Sequence, residues 1–198
     1  KINHPLILEL IEKTENSDSA VESSTKLLRP TVRSNELNTL DSVLPKIKTT
    51  LSDMKTSITE LFNVAIYEPD ISESADINRQ IRITEQSRNG NWNLFEEVSE
   101  NIILQINTVT NQLNSITRML ESRTNQNIIL NLYNDLATLK SEYYLISENL
   151  NEFIFEPNEK SVYWVEKDIK SSKIELGMAP IEVAQILNDN LFSSKDSV

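Results

Sequence analysis

Leu37, Leu40, Leu44, Ile47, Leu51, Met54, Ile58, Leu61 and Ala65 follow one another at alternating intervals of three and four residues. A hydrophobic seam with period 3.5 predicts a long helix that buries one stripe against neighbours. Pro45 falls inside this seam. Proline suits a helix's first turn but kinks its interior, so the helix is expected to start near Ser42 or to bend there. A second seam runs through Phe95, Val98, Ile102, Gln105, Val109, Leu113, Ile116 and Leu120, with Ile106 beside the polar Gln105. A single polar residue in such a seam fixes register at some cost in stability. The third seam is Leu132, Leu136, Leu139, Tyr143, Ile146, Leu150 and Phe153.

Helices of about thirty residues each reach roughly 45 Å. The polar stretch from Glu121 to Asn127 is short and rich in capping residues, so the second and third helices are expected to run antiparallel. Pro157 stops the third. Upstream, Leu6, Ile7, Leu10 and Ile11 predict one short amphipathic helix, and Ala20 to Arg29 another, ended by Pro30. Ile77, Ile81 and Ile83 predict a brief strand closing at Thr84, inside a mostly polar stretch. Val162 to Leu176 reads as a β-hairpin, and the apolar positions after Pro180 as a short C-terminal helix. The expected fold is therefore mainly α, an elongated antiparallel bundle of three or more long helices with a small hairpin. Strand is expected to be confined to Ile77–Thr84 and the Val162–Leu176 hairpin, and a sheet of four or more strands, or a long helix through Pro157, would contradict that. The organisation expected is 1–34 as short helices on or leading into the bundle, 35–157 as the bundle with a polar insert at 69–91, and 158–198 as the hairpin and terminal helix.

Composition narrows the chemistry. In 198 residues there are two glycines, no cysteine and a single histidine, His4. So few glycines argue against a turn-rich all-β fold and against a phosphate-cradling glycine loop. The missing cysteines remove disulfides and thiolate-held zinc or iron–sulfur centres from this stretch. A net charge of −11 disfavours nonspecific nucleic-acid binding, which requires Lys and Arg to neutralise phosphates. No apolar run approaches the roughly 18 residues that span a membrane, so no membrane partner and a cytoplasmic setting are expected. An opening Lys1 fits an excised piece of a longer chain.

No catalytic or metal-ligating constellation emerges, and no phosphate-loop, His-Glu-x-x-His or Gly-x-Ser-x-Gly motif occurs. Glu96, Glu97 and Glu100 cluster where the second long helix is expected to begin. Paired carboxylates can divide acid and base roles, but a solvated first turn favoured by the helix dipole is the ordinary account. Arg79, Arg82 and Arg88 with Trp92 offer charge beside an aromatic face, the pairing used for single-stranded nucleic acid. The competing account makes Arg82 a solvated strand residue and Trp92 a cap on the bundle core. Tyr163 and Trp164 must point to opposite faces of the hairpin, one onto the helices. The other is open to packing on a further domain with Lys160, Lys167, Lys170 and Lys173 around it, although lysines on an edge hairpin ordinarily block strand addition.

The sequence Tyr163-Trp164-Val165-Glu166, followed by Leu176-Gly177-Met178-Ala179-Pro180-Ile181-Glu182-Val183 and then Leu191-Phe192, resembles the DinG-like branch of the XPD-like, superfamily 2 helicases. There a Tyr-Trp-(Val/Ile)-Glu strand precedes a Leu-x-x-Ala-Pro-(Ile/Leu)-(Asp/Glu)-Val pattern and a Leu-Phe pair. Arg82-Ile83-Thr84 with the downstream Trp92 is similar, more loosely, to a stretch of that family's insertion. The resemblance implies an arch-type insertion between the family's Asp-Glu-Ala-His and Ser-Ala-Thr motifs, the latter falling just beyond Val198. It further implies a parent bacterial ATP-dependent DNA helicase using ATP and Mg²⁺, in some bacteria fused to a 3′–5′ exonuclease. On this expectation the chain itself holds no cofactor and is no enzyme. Its partners would be the parent's motor domains and single-stranded DNA, in DNA repair. The family-motif residues Tyr163, Trp164, Glu166, Ala179, Pro180, Val183, Leu191 and Phe192 would be structural. The alternative is a helical-bundle protein–protein interaction module, which accounts for the seams and the acidity but not for the Tyr-Trp hairpin.

Overall fold

A computed structural model describes residues 1–66, 79–84, 88, 92–121, 123, 127–167 and 174–181. Among them the chain forms β1 (Ile2–Asn3), α1 (His4–Glu15), α2 (Ala20–Leu28), α3 (Ser34–Ile66), β2 (Arg79–Ile83), α4 (Trp92–Glu121), α5 (Asn127–Ile154), β3 (Ser161–Lys167) and β4 (Ile174–Pro180). The fold is mainly α, as expected. The long helices α3, α4 and α5 are antiparallel neighbours. Gln105 of α4 meets Ser57 of α3, while Arg123, just past α4, meets Glu36 near the start of α3. Lys140 of α5 meets Asn114 of α4.

The seams become the core. Ile47, Leu51, Met54, Ile58 and Leu61 of α3, Ile102, Val109, Leu113 and Ile116 of α4, and Leu136, Tyr143, Leu150 and Phe153 of α5 are all essentially inaccessible to water. Each such aliphatic side chain contributes about 1.5–3 kcal/mol relative to exposure. Among the seam residues, Leu37, Leu132 and Ile146 are only half-buried, and at two further positions the fully buried residue is the neighbour. Val43, not Leu44, is fully buried on α3, and Ile106, not Gln105, on α4. In each case the rotation of the helix places the adjacent residue in the helix–helix contact and leaves the expected one at its margin. Gln105 still ties α3 to α4, its amide donating to Ser57 Oγ at 3.1 Å.

Helix α3 is continuous from Ser34 through Pro45, so a start near Ser42 is corrected. Proline has no N–H to donate to the Asp41 carbonyl, but packing along the rest of the seam outweighs one missing bond. The helix start is fixed instead by Glu36, whose carboxylate accepts from the Arg33 N–H at 2.9 Å, the return half of a capping box. That bond, with the Arg123 guanidinium nearby, holds the Glu36 carboxyl below the usual carboxylate range. Helix α1 opens with Asn3 as its cap, accepting from the Leu6 N–H at 2.9 Å, and with Pro5 in the first turn. Both α1 and α2 pack on the long helices. The buried Thr14 and Tyr143 hydroxyls bond across that contact at 3.0 Å. Helix α5 ends at Ile154, before Pro157.

Confinement of strand to Ile77–Thr84 and the Val162–Leu176 hairpin does not hold. β1 joins the hairpin and β2 to give one antiparallel sheet of four strands, ordered β1-β4-β3-β2. Ile2 pairs with Leu176 and Asn3 with Glu175. Ile2 is 3% exposed, and burying its side chain with Leu176 and Val165 draws the N-terminus into the sheet. β4 also reaches Pro180, longer than expected. The expected C-terminal helix lies outside the described residues.

Candidate functional site

Alternation along paired strands sorts the sheet into two faces. Ile2, Tyr163, Val165, Ile174 and Leu176 are buried toward the helices. Tyr163 is the hairpin aromatic that packs on the bundle. Its ring meets Phe153 edge-on at 5.6 Å, Phe153 meets Phe95 at 6.5 Å, and Phe95 meets Trp92 at 5.2 Å. The Tyr163 hydroxyl donates to a Glu152 carboxylate oxygen at 3.0 Å and accepts the Asn158 N–H at 2.7 Å, which locks the hairpin to the end of α5. Burial pushes this hydroxyl's pKa up.

Trp164 occupies the opposite, open face. It pairs across β4 with Gly177, and a Cβ at 177 would overlap the indole ring, so glycine is what lets the ring lie close on the sheet. The indole N–H reaches Glu166 at 3.5 Å. Across β2 the partner of Trp164 is Arg82, whose side chain is exposed. Lys1 bridges Glu175 at 3.1 Å and approaches Glu166 at 4.0 Å on the same face. Sequence reasoning paired Arg82 with Trp92. The structure pairs it in register with Trp164, whose ring lies over Gly177, and that strand glycine was the signal for the ring's close approach to the sheet.

The arginine group is thereby divided. Arg79 lies in β2, its side chain outside the described residues, and Arg82 faces outward on the open side. Arg88 stands over the Trp92 ring at 4.9 Å. Trp92 itself is only 8% exposed and packed on Phe95, so it caps the core and offers no free face for a stacked base. Its indole nitrogen is buried with no hydrogen-bond partner. Of the family-motif residues, Ala179 and Pro180 end β4 at the open face and its edge, while Val183, Leu191 and Phe192 lie outside the described residues. Lys160 is exposed and Lys167 half-buried; Lys170 and Lys173 also lie outside.

Glu96, Glu97 and Glu100 do not form a first turn. Helix α4 starts at Trp92, so the three carboxylates fall beyond it, along the second and third turns. No group of three or more His, Cys, Asp or Glu among the described residues is arranged to hold a metal ion. His4 packs edge-on against Phe62, and burial lowers its pKa. No helix among the described residues is long and apolar enough to cross a membrane.

Comparison with protein-family models, with curated proteins and with solved structures gave no match. The site's chemistry is therefore read from its residues alone.

Proposed function

We infer that the chain is an accessory, arch-type domain of a DinG-like DNA helicase, which guides or gates single-stranded DNA while ATP is hydrolysed by motor domains elsewhere in the parent. The pairing of Ile2 with Leu176 carries this reading. It sets β1 one strand spacing, about 4.8 Å, from β4, so the helices between them form an excursion from a common base, the shape an arch requires. The open sheet face adds support. Trp164, Val162 and Ala179 lie there with Arg82 and Glu166, a mixed apolar and charged surface of the kind that seats another domain.

The coding sequence around the segment is the decisive test. It should specify a phosphate loop and Asp-Glu-Ala-His before Lys1, and Ser-Ala-Thr after Val198. Absence of these motifs removes the reading. The isolated chain should turn over neither ATP nor DNA, and hydrolysis that disappears on mutating a residue of this chain would contradict that.

A second reading, a protein–protein interaction module, is favoured by one observation. An apolar hollow of about 310 Å³ between α1, α5 and β1 is bordered by Leu6 and Leu145, both more than half exposed. Motor motifs beside the segment exclude it as the sole role; a gene without them favours it.

A further inference from the structure

The chain's acidity is unevenly spread around α5. Asp135 lines a hollow with Lys13 and Asp18, and Glu142 is ion-paired to Lys13 at 3.1 Å, so both acids face α1. The other side of α5 meets α4 along an open groove of about 390 Å³ that no carboxylate lines. Its α4 wall comes from a stretch, residues 101–120, with no Asp or Glu at all. Lys140, Ser141 and Tyr144 form the opposite wall, and Tyr144 is 63% exposed. Lys140 donates to the Asn114 side-chain oxygen at 3.0 Å. Arg118, exposed, stands one turn beyond Asn114 on the same face of α4. Neither Lys140 nor Arg118 is in an ion pair among the described residues, whereas Lys1, Lys13, Arg29, Lys48, Lys55 and Arg123 are.

We propose that the α4–α5 groove binds single-stranded nucleic acid, with a base stacked on Tyr144 and phosphates held by Lys140 and Arg118. Charge complementarity selects this occupant. Repulsion from a chain of net charge −11 is screened beyond about 8 Å at physiological salt, so a phosphate can settle only where carboxylates are turned away. Glu148, one turn past Tyr144 on α5, and Glu121, one turn past Arg118 on α4, mark its two ends. The free face of a tyrosine accepts any base, and the amide and hydroxyl groups of Asn107, Asn114 and Ser141 suit sugar and phosphate oxygens. The proposal deepens the arch reading and rests on it, but fails separately. Missing motor motifs beside the segment sink the arch, whereas the groove is judged by binding.

The test is fluorescence anisotropy of labelled oligothymidylate titrated with the 198-residue chain at low salt. Weak binding is expected, with log affinity falling against log salt at a slope of about −1.4 for two phosphates. Tyr144→Ala should weaken it roughly ten-fold and Tyr144→Phe should preserve it, since stacking needs the ring alone. The double variant Lys140→Gln, Arg118→Gln should flatten the salt slope. Far-UV circular dichroism checks that each variant folds, and because these side chains lie at the surface they should. Three results overturn the proposal: no binding by the native chain at low salt, binding lost in Arg82→Ala, Arg88→Ala but kept in the groove variants, or a groove whose variants abolish self-association and leave oligonucleotide affinity unmoved.

Discussion

Trp92 and Trp164 each stand beside an arginine, and they end in opposite surroundings. Trp92 opens α4 and is driven into the bundle core by a neighbouring phenylalanine, with Arg88 laid over its outer surface. Trp164 sits on a strand whose alternate residues, Tyr163 and Val165, are the buried ones, so it is forced to the face without helices. It keeps that place only because Gly177 leaves room beneath it. An aromatic beside a cation thus says little about function until its face is assigned. On a helix the seam assigns it, and on a strand the parity of its neighbours does.

Removal of the two rings should give the largest contrast. Trp92→Ala leaves a cavity in the core and is expected to cost about 3–5 kcal/mol, against about 1–2 kcal/mol for Trp164→Ala. Chemical denaturation followed by far-UV circular dichroism measures both, and equal losses would break the distinction. Next in size, Gly177→Ala pushes a methyl group into the Trp164 ring and should cost about 1–3 kcal/mol as overpacking. In the Trp164→Ala background the same substitution should cost little. A double-mutant cycle without coupling would mean that the ring does not rest on Gly177.

Smaller still, Tyr163→Phe deletes the hydroxyl bonded to Glu152 and Asn158, for about 1–1.5 kcal/mol, and tests whether the sheet is fastened to the bundle through that group. A fully cooperative single transition should remain. Tyr143→Phe supplies the counterpart within the bundle. Burial raises the Tyr143 pKa, with the Thr14 bond acting in the opposite direction. The folded chain therefore keeps the neutral phenol while the unfolded chain ionises above about pH 10. The contribution is complete below that pH and is lost as pH rises through the folded pKa. Urea midpoints should fall above pH 10 in the native chain and fall less steeply in Tyr143→Phe.

The bundle was legible because its information is local. A residue every three or four positions, repeated over many turns, names both the helix and its buried stripe. The errors there were single steps, Leu44 for Val43 and Gln105 for Ile106, where two neighbours compete for one contact. Of the two readings of Pro45, the helix start near Ser42 fails, because one lost hydrogen bond is small against about nine turns of packing. The sheet was only half legible. β3 and β4 announce themselves by alternation, but Ile2–Asn3 is too short to carry a period, and its partner lies at the far end of the chain. The site fared worst. The sequence fits both accounts of Trp92, and its burial decides for the core. The α4–α5 groove could not be seen at all, because its walls come from helices whose relative rotation no single stretch of sequence specifies.

That distant partner of β1 has a kinetic consequence. Asn3 and Glu175 are separated by 172 positions. Closing so long a loop costs chain entropy that a two-residue strand repays poorly, whereas α4 and α5 meet across a short connection. The bundle should therefore form first and β1 dock afterwards. Run backward, the same order has β1 open before the bundle does, and its amide protons should exchange with solvent long before those of Ile102, Val109 or Leu113.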